Sequence, residues 1–261
     1  MKINKPTSLP LDKFIEFALY NKDSGYYMKK NPFGKDGDFI TAPNITRLFS
    51  EIIAIWVVTF WKSIGSPKKF NLLELGAGNG EMMKVIWATL KNFPECFNSC
   101  SFSIHEKSDF LINKQKENLK SEKISWIKDI KQVNSHPTIF LANEFFDALP
   151  IKQFFKKKED WIERFVDLKE ENKAEFKEQL TDIKKIEQQL NFEISKNQNI
   201  IEYSPDTFKY LKNICGIVKK NDGGILIIDY GYLGSKMHET LQAVNNHKHS
   251  NVLEDIGDSD I

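Results

Sequence analysis

The stretch Leu72-Leu73-Glu74-Leu75-Gly76-Ala77-Gly78-Asn79-Gly80 could do chemistry, and its spacing says of what kind. An apolar run carries a carboxylate, three glycines alternate behind it, and a helical pattern opens at Glu81. Alternating glycines let the backbone turn sharply and let a ligand lie against the main chain. A helix starting just beyond them offers unpaired N–H groups to a polar ligand. Dinucleotides call for G-x-G-x-x-G, and Glu81 stands where that fingerprint needs its last glycine, so the spacing argues against them. A ligand without a pyrophosphate tolerates a carboxylate at the loop, and Glu74 could attract its ammonium group. Glycine used purely for a strand-to-helix turn is the structural alternative.

Further candidates follow at the ends of later apolar runs. Glu106 closes the second, where an acidic side chain can accept two hydrogen bonds from ribose hydroxyls. After the third, Trp126 could stack on an adenine ring and Asp129 could accept its exocyclic amine, though Trp126 reads equally as core. The fourth runs into Asn143-Glu144-Phe145-Phe146-Asp147-Ala148-Leu149-Pro150. Polar residues at the carboxyl end of such a strand fall where doubly wound folds place ligands; Asn143 as a helix N-cap is the alternative. His238, His247 and His249 lack the cysteine or carboxylate spacing of a zinc site, so no metal is expected. Cys96, Cys100 and Cys215 cannot all pair, which suits a reducing compartment.

The elements around these residues alternate. FNLLEL (70–75), FSIHE (102–106), ISWIK (124–128), TIFLANEFF (138–146) and GGILIIDYG (223–231) read as strands, with helical segments between several of them. That alternation predicts a parallel sheet with crossover connections. Leu11, Phe14, Ile15, Ala18 and Leu19 recur at helical spacing, and 45–65 reads as a buried helix closed by Gly65 and Pro67. Residues 151–169 alternate like an exposed hairpin, and the tract to Gln198 is mostly solvated charge, so about 151–200 is expected to be an insertion. Two regions are expected: an N-terminal helical extension with a cofactor-covering loop over 1–66, and an α/β domain over 67–261.

The 261 residues are 41% hydrophobic, enough for a sizeable core. With 37 basic against 36 acidic residues the net charge is +1, which gives no electrostatic case for nucleic acid or an anionic membrane. Leu48–Trp61 is too short for the ~20 residues of a membrane span and contains Glu51. The first twenty residues lack a secretory h-region and an Arg-rich leader, so a bacterial cytoplasm is expected, with the mitochondrial matrix as alternative. No oligomeric state follows from the sequence.

Acidic-x-G-x-G-x-G is the pattern of methyltransferases that bind S-adenosylmethionine, and the chain as a whole resembles the MidA-like methyltransferases. The blocks that carry the resemblance are SGYYM (24–28), GDFITAPNITRLFSEIIAIW (37–56), LLELGAGNG (72–80), ANEFFDALPIKQF (142–154), WIERFV (161–166), EYSP (202–205) and GGILIIDYGY (223–232). They run in order along nearly the whole chain. The resemblance implies a class I methyltransferase fold, Rossmann-like and doubly wound, with extra N-terminal helices. It implies S-adenosylmethionine as cofactor, held at Gly76, Gly78, Gly80 and Glu106, with Gly37, Asp38, Phe39, Thr41 and Pro43 closing over it. Where relatives have serine and glutamate this chain has Ala42 and Asn44, so a carboxylate contact is missing if Asn44 faces the site. Relatives also continue past the block ending at Ile261, and the last strands of the usual sheet are expected to be absent.

The family includes a mitochondrial complex I assembly factor that methylates an arginine, which implies a protein acceptor. A guanidinium has a pKa above ~12, so its methylation needs carboxylates that grip it bidentately. Glu144 and Asp147 are the first candidates, followed by Glu51 and by Glu202 or Asp229. The competing expectations are a different acceptor, or a non-catalytic assembly or scaffold protein that keeps the fold.

Overall fold

The structure is a computed structural model that describes residues 7–29, 32, 41–120, 123–169, 173–245 and 248–261. Its elements begin with β1 (Thr7–Pro10), α1 (Leu11–Tyr20), α2 (Tyr26–Lys29), α3 (Ala42–Ile45) and α4 (Arg47–Ser63). Then come β2 (Phe70–Leu75), α5 (Glu81–Leu90), α6 (Pro94–Ser99), β3 (Cys100–His105), α7 (Asp109–Leu119), β4 (Ile124–Ile127) and β5 (Thr138–Asn143). Next are β6 (Lys152–Lys157), β7 (Asp160–Leu168), β8 (Ala174–Thr181), α8 (Ile183–Leu190) and β9 (Ile200–Tyr203). The chain closes with α9 (Pro205–Asn221), β10 (Gly223–Ile228), β11 (Ala243–Asn245) and β12 (Lys248–Ser250). Two compact units result: Tyr27–Asp147 with Lys209–Tyr230, and Met1–Tyr26 with Ala148–Phe208 and Gly231–Ile261.

In the first unit β2 is buried at every position, as a strand must be when helices cover both faces of its sheet. The sheet is parallel, in the order β10-β5-β2-β3-β4. The chain therefore builds outward from β2 through β3 to β4, then returns to the other side of β2 for β5 and β10. Ligands bind in the crevice at such a reversal, outside the carboxyl ends of the strands. Strand side chains alternate between the faces. Leu72, Ile139 and Leu141 pack with Ala54, Val57, Trp61 and Ile86 from α4 and α5. Leu73, Leu75, Phe140 and Ala142 pack on the other side with Ile214 of α9. The doubly wound α/β class read from the sequence is the observed one.

The second unit is antiparallel. β7 pairs with β8 along one edge, and with β6 and then β1 along the other, while β9 completes the sheet beside β6. The expected hairpin is β6–β7, turning at Lys158, whose φ is +57°. The following tract carries more order than solvated charge requires, since it holds β8 and α8. The N-terminal extension divides between the units: α1 lies in the antiparallel unit, whereas α4 lies in the parallel one. Among the described residues no helix is long and apolar enough to cross a membrane.

Leu72→Ala in the fully buried β2 is expected to cost about 2–5 kcal/mol, read as a fall in the urea midpoint of unfolding. Ile55→Ala on the outer face of α4, where the side chain is 47% exposed, should change stability by no more than about 0.5 kcal/mol.

Candidate functional site

The loop after β2 bends through three left-handed residues. Gly76, Gly78 and Gly80 have φ of +64°, +54° and +83°, values that a side chain makes costly. At Gly76 space forbids one as well, since an added Cβ would stand 2.6 Å from the Phe145 ring. The Gly76 N–H still donates to the His105 carbonyl at 2.9 Å, extending the β2–β3 ladder by one bond. Gly80 stands at the N-cap of α5, and Asn79 Oδ1 just before it accepts the Glu81 N–H at 3.2 Å.

Beside this loop, at the carboxyl ends of β2 and β5, lies a cavity of about 410 Å³ open to solvent. Its walls come from the glycine loop with Met82, from Glu74, from Asn143 at the end of β5 and Glu144 after it, and from Thr41, Pro43 and Asn44. Two polar atoms in these walls are buried without a partner among the described residues, Glu74 Oε2 and Asn143 Oδ1. Buried acceptors of this kind are rare unless a donor arrives from outside the chain. Burial, reinforced by the nearby Glu106 carboxyl, pushes Glu74 up to about 8, so near neutral pH it holds its proton unless a cation stands beside it. An ammonium group on a ligand fits this pair, because it donates to both oxygens and favours the Glu74 carboxylate.

The 41–45 turn is pinned to the loop through amides. Asn44 Nδ2 donates to Thr41 Oγ1 at 2.9 Å, and Asn44 Oδ1 accepts from Asn79 Nδ2 at 3.1 Å. Thr41, Pro43 and Asn44 all line the cavity. Gly37, Asp38 and Phe39 lie outside the described residues.

Glu106 sits at the end of β3, buried, with Oε1 accepting the Ser108 N–H at 3.0 Å and Oε2 accepting from Gln115 at 3.1 Å. Burial raises its pKa, and the hydrogen bonds from Ser108 and Gln115 oppose that rise. Trp126 is partly buried against the core, and its Nε1 donates to Gln115 Oε1 at 2.8 Å. Asp129 is exposed and caps the 3-10 turn Ile130–Gln132, accepting the Lys131 N–H at 2.9 Å. Beneath the loop, His105 Nε2 accepts from the Tyr210 hydroxyl at 2.7 Å while Nδ1 donates to the Ile127 carbonyl at 3.2 Å. Burial lowers the His105 pKa, so the ring is neutral and its two nitrogens play these distinct roles. The sequence reading missed Gln115, Asn79 and Tyr210, because amides and hydroxyls inside helices and loops carry no spacing signal.

Carboxylates gather at the edge of the cavity. Glu144 has φ of +49°, a left-handed conformation that a non-glycine residue rarely holds. Burial raises its pKa and the Asp229 charge adds to that, while the Asn143 side chain and the Ala42 N–H donate to the carboxylate. Asp229 Oδ2 accepts the N–H groups of Phe146 and Asp147 at 3.1 and 3.3 Å, fixing the turn that presents Glu144 and Asp147. Asp147 is exposed. The Tyr230 hydroxyl is held protonated first by Glu144 and also by Asp147 and Asp229. Glu51 is not brought to the cavity; it faces Arg47 one turn away at 3.6 Å. Glu202 belongs to the antiparallel unit, where it accepts from Gln153 and Thr240.

A folded-state pKa of about 8 against an ordinary glutamate value means the folded chain holds one more proton than the unfolded chain in between. Stability from Glu74 is then full below about pH 4 and is lost as the pH rises to about 8. Relative to Glu74→Gln, the melting temperature of the native chain should fall across that window and level off above it. Parallel curves for the two proteins would remove Glu74 as the titrating group.

The chain matches the family of S-adenosyl-L-methionine-dependent methyltransferases over residues 52–261. It is 27% identical to the mitochondrial protein arginine methyltransferase NDUFAF7 of Xenopus laevis, over 100% of this chain and 65% of the relative. The Drosophila melanogaster homolog is 28% identical with the same shares covered. The chain thus spans about 65% of the length of these relatives. A crystal structure from Burkholderia thailandensis with S-adenosyl-homocysteine bound superposes with a TM-score of 0.78 at 20% identity, covering 97% of this chain and 68% of that one. That likeness shows the same fold. With the acidic glycine loop at the strand-order reversal and a family match over most of its length, the chain belongs to the S-adenosyl-L-methionine-dependent methyltransferases.

Proposed function

We propose that this chain binds S-adenosylmethionine in the glycine-loop cavity and transfers its methyl group to an arginine side chain of a protein. The observation that carries the reading is the pair of orphaned acceptors, Glu74 Oε2 and Asn143 Oδ1, beside three glycines in left-handed conformations. The arginine acceptor is supported by the names of the relatives and by the carboxylates of Glu144, Asp147 and Asp229 around one turn. The MidA-like resemblance adds a respiratory complex I subunit as the protein methylated. The relatives are mitochondrial by name, and the matrix is the setting that name favours.

When bound, the cofactor supplies a methyl group on a sulfonium, an already excellent leaving group. The chain's own work is alignment and exclusion of water. Glu74 and Asn143 accept from the ammonium end, and the Gly76–Gly80 backbone lets the ligand lie close. Glu144 and Asp147 hold the acceptor guanidinium and localise its charge, so that one nitrogen attacks in line. The nitrogen that takes the methyl group would shed its proton through these carboxylates to water.

Titration calorimetry should show saturable binding of S-adenosylmethionine that is lost in Gly78→Arg, whose side chain would have to occupy the loop. Near neutral pH, binding should release a proton from Glu74, seen as a dependence of the heat on buffer ionisation enthalpy. Absence of binding by the folded chain would overturn the reading. Glu144→Gln and Asp147→Asn should keep cofactor affinity while lowering methyl incorporation into arginine peptides about 10²-fold or more. Full transfer by both variants would remove these carboxylates from the mechanism. Cofactor binding with no transfer to any protein would support a scaffold that retains the fold.

A further inference from the structure

We propose that the outer edge of β8 is a self-association surface, on which a second copy of this chain lays its own β8 antiparallel, across a two-fold axis at Phe176. Among the described residues β8 pairs with β7 alone, so its far edge carries backbone groups that no strand meets. The strand is eight residues long and none of them is buried. A long exposed edge is a template for another strand unless proline, a bulge or repelling charge blunts it. β8 contains no proline, and its register against β7 is unbroken. Its charges alternate in sign about an aromatic ring, in the order Glu175-Phe176-Lys177-Glu178.

The ladder to β7 decides which groups point outward. The Lys169 N–H donates to the Lys173 carbonyl at 2.7 Å, which makes these two a hydrogen-bonded pair next to Leu168 and Ala174 in the same register. Hydrogen-bonded and non-hydrogen-bonded pairs alternate along antiparallel strands. Ala174, Phe176, Glu178 and Leu180 therefore turn their N–H and C=O groups away from β7. A two-fold at Phe176 pairs Phe176 with its own copy and Ala174 with Glu178, through these outward groups. Between them Glu175 of each copy stands opposite Lys177 of the other, in the closer, non-hydrogen-bonded pairing.

Charge selects that axis. Moving it to Glu175, Lys177 or Glu178 sets that residue against its own copy, and like charges directly opposite are destabilising. Within one copy Lys169 Nζ lies 2.6 Å from the Glu175 carboxylate, and Lys177 Nζ lies 3.2 Å from that of Asp167. The second copy joins these pairs into a row, Lys169, Glu175, Lys177, Asp167, which alternates in sign on each side of the axis. Such networks contribute more than isolated exposed pairs. On the opposite face Phe176 is 41% exposed, its ring centroid 4.6 Å from the Arg164 guanidinium, so two rings already held in place meet at the axis.

Sedimentation velocity on the full chain over a concentration series should show a monomer–dimer equilibrium. Glu175→Lys or Lys177→Glu alone sets like charges opposite at two places and should weaken association about tenfold or more. Glu175→Lys combined with Lys177→Glu restores opposite signs and should recover association. Circular dichroism checks that each variant is folded. Glu178→Pro removes an outward N–H and no bond to β7, so it should abolish the dimer, and it decides the matter if a charge variant fails to fold. A native chain that stays monomeric at every concentration overturns the proposal, as does a dimer that none of these substitutions weakens. A combined variant as weak as the single ones overturns the Phe176 axis and the proposal with it.

Discussion

The structure turns on a backbone constraint: the chain must leave the buried strand β2 through three left-handed residues before α5 can begin. Only glycine does this without strain, and at Gly76 only glycine also fits against Phe145. The turn lifts the main chain away from the end of the sheet. Because strand order reverses between β2 and β5, nothing from the neighbouring crossover fills the gap that the turn opens. The cavity is a consequence of topology and three φ angles, and the side chains around it are arranged on that frame.

Its electrostatics follow from burial. Glu74 stands one residue from the end of a fully buried strand and lines the cavity, its Oε2 without a partner among the described residues. A carboxylate there is costly because it is buried and lies near Glu106, which is why its pKa stands at about 8. Glu106 is also buried, but donors from Ser108 and Gln115 meet it, so the two acids answer the same cost in different ways. Glu144 and Asp147 follow β5 on a turn held by Asp229, and there a cationic acceptor would find carboxylates already oriented.

Much of the parallel unit was legible in the sequence because its signals are local. Five apolar runs gave the five strands, and the glycines marked the turn after β2. The antiparallel unit was harder to read. The 151–169 hairpin shows in its alternation, but β1 is four residues long and finds its partner in β7, far along the chain. The residues between 174 and 181 are mostly polar, and their pairing to β7 rather than their composition makes them a strand.

The sequence by itself determined the fold class, the position of the glycine loop and the acids at the strand ends, because strand periodicity and glycine φ preferences act over a few residues. The tertiary structure alone decided which acids face a ligand and in what state. It separated Glu51, which pairs along its own helix, from Glu144. It brought Asn44 to Asn79, and it placed Gln115 between Gly78, Glu106 and Trp126. Hydrogen-bond partners of this kind are distant in sequence and depend on directions within a few ångströms, and desolvation depends on everything packed around a group. Neither quantity exists until the chain has folded.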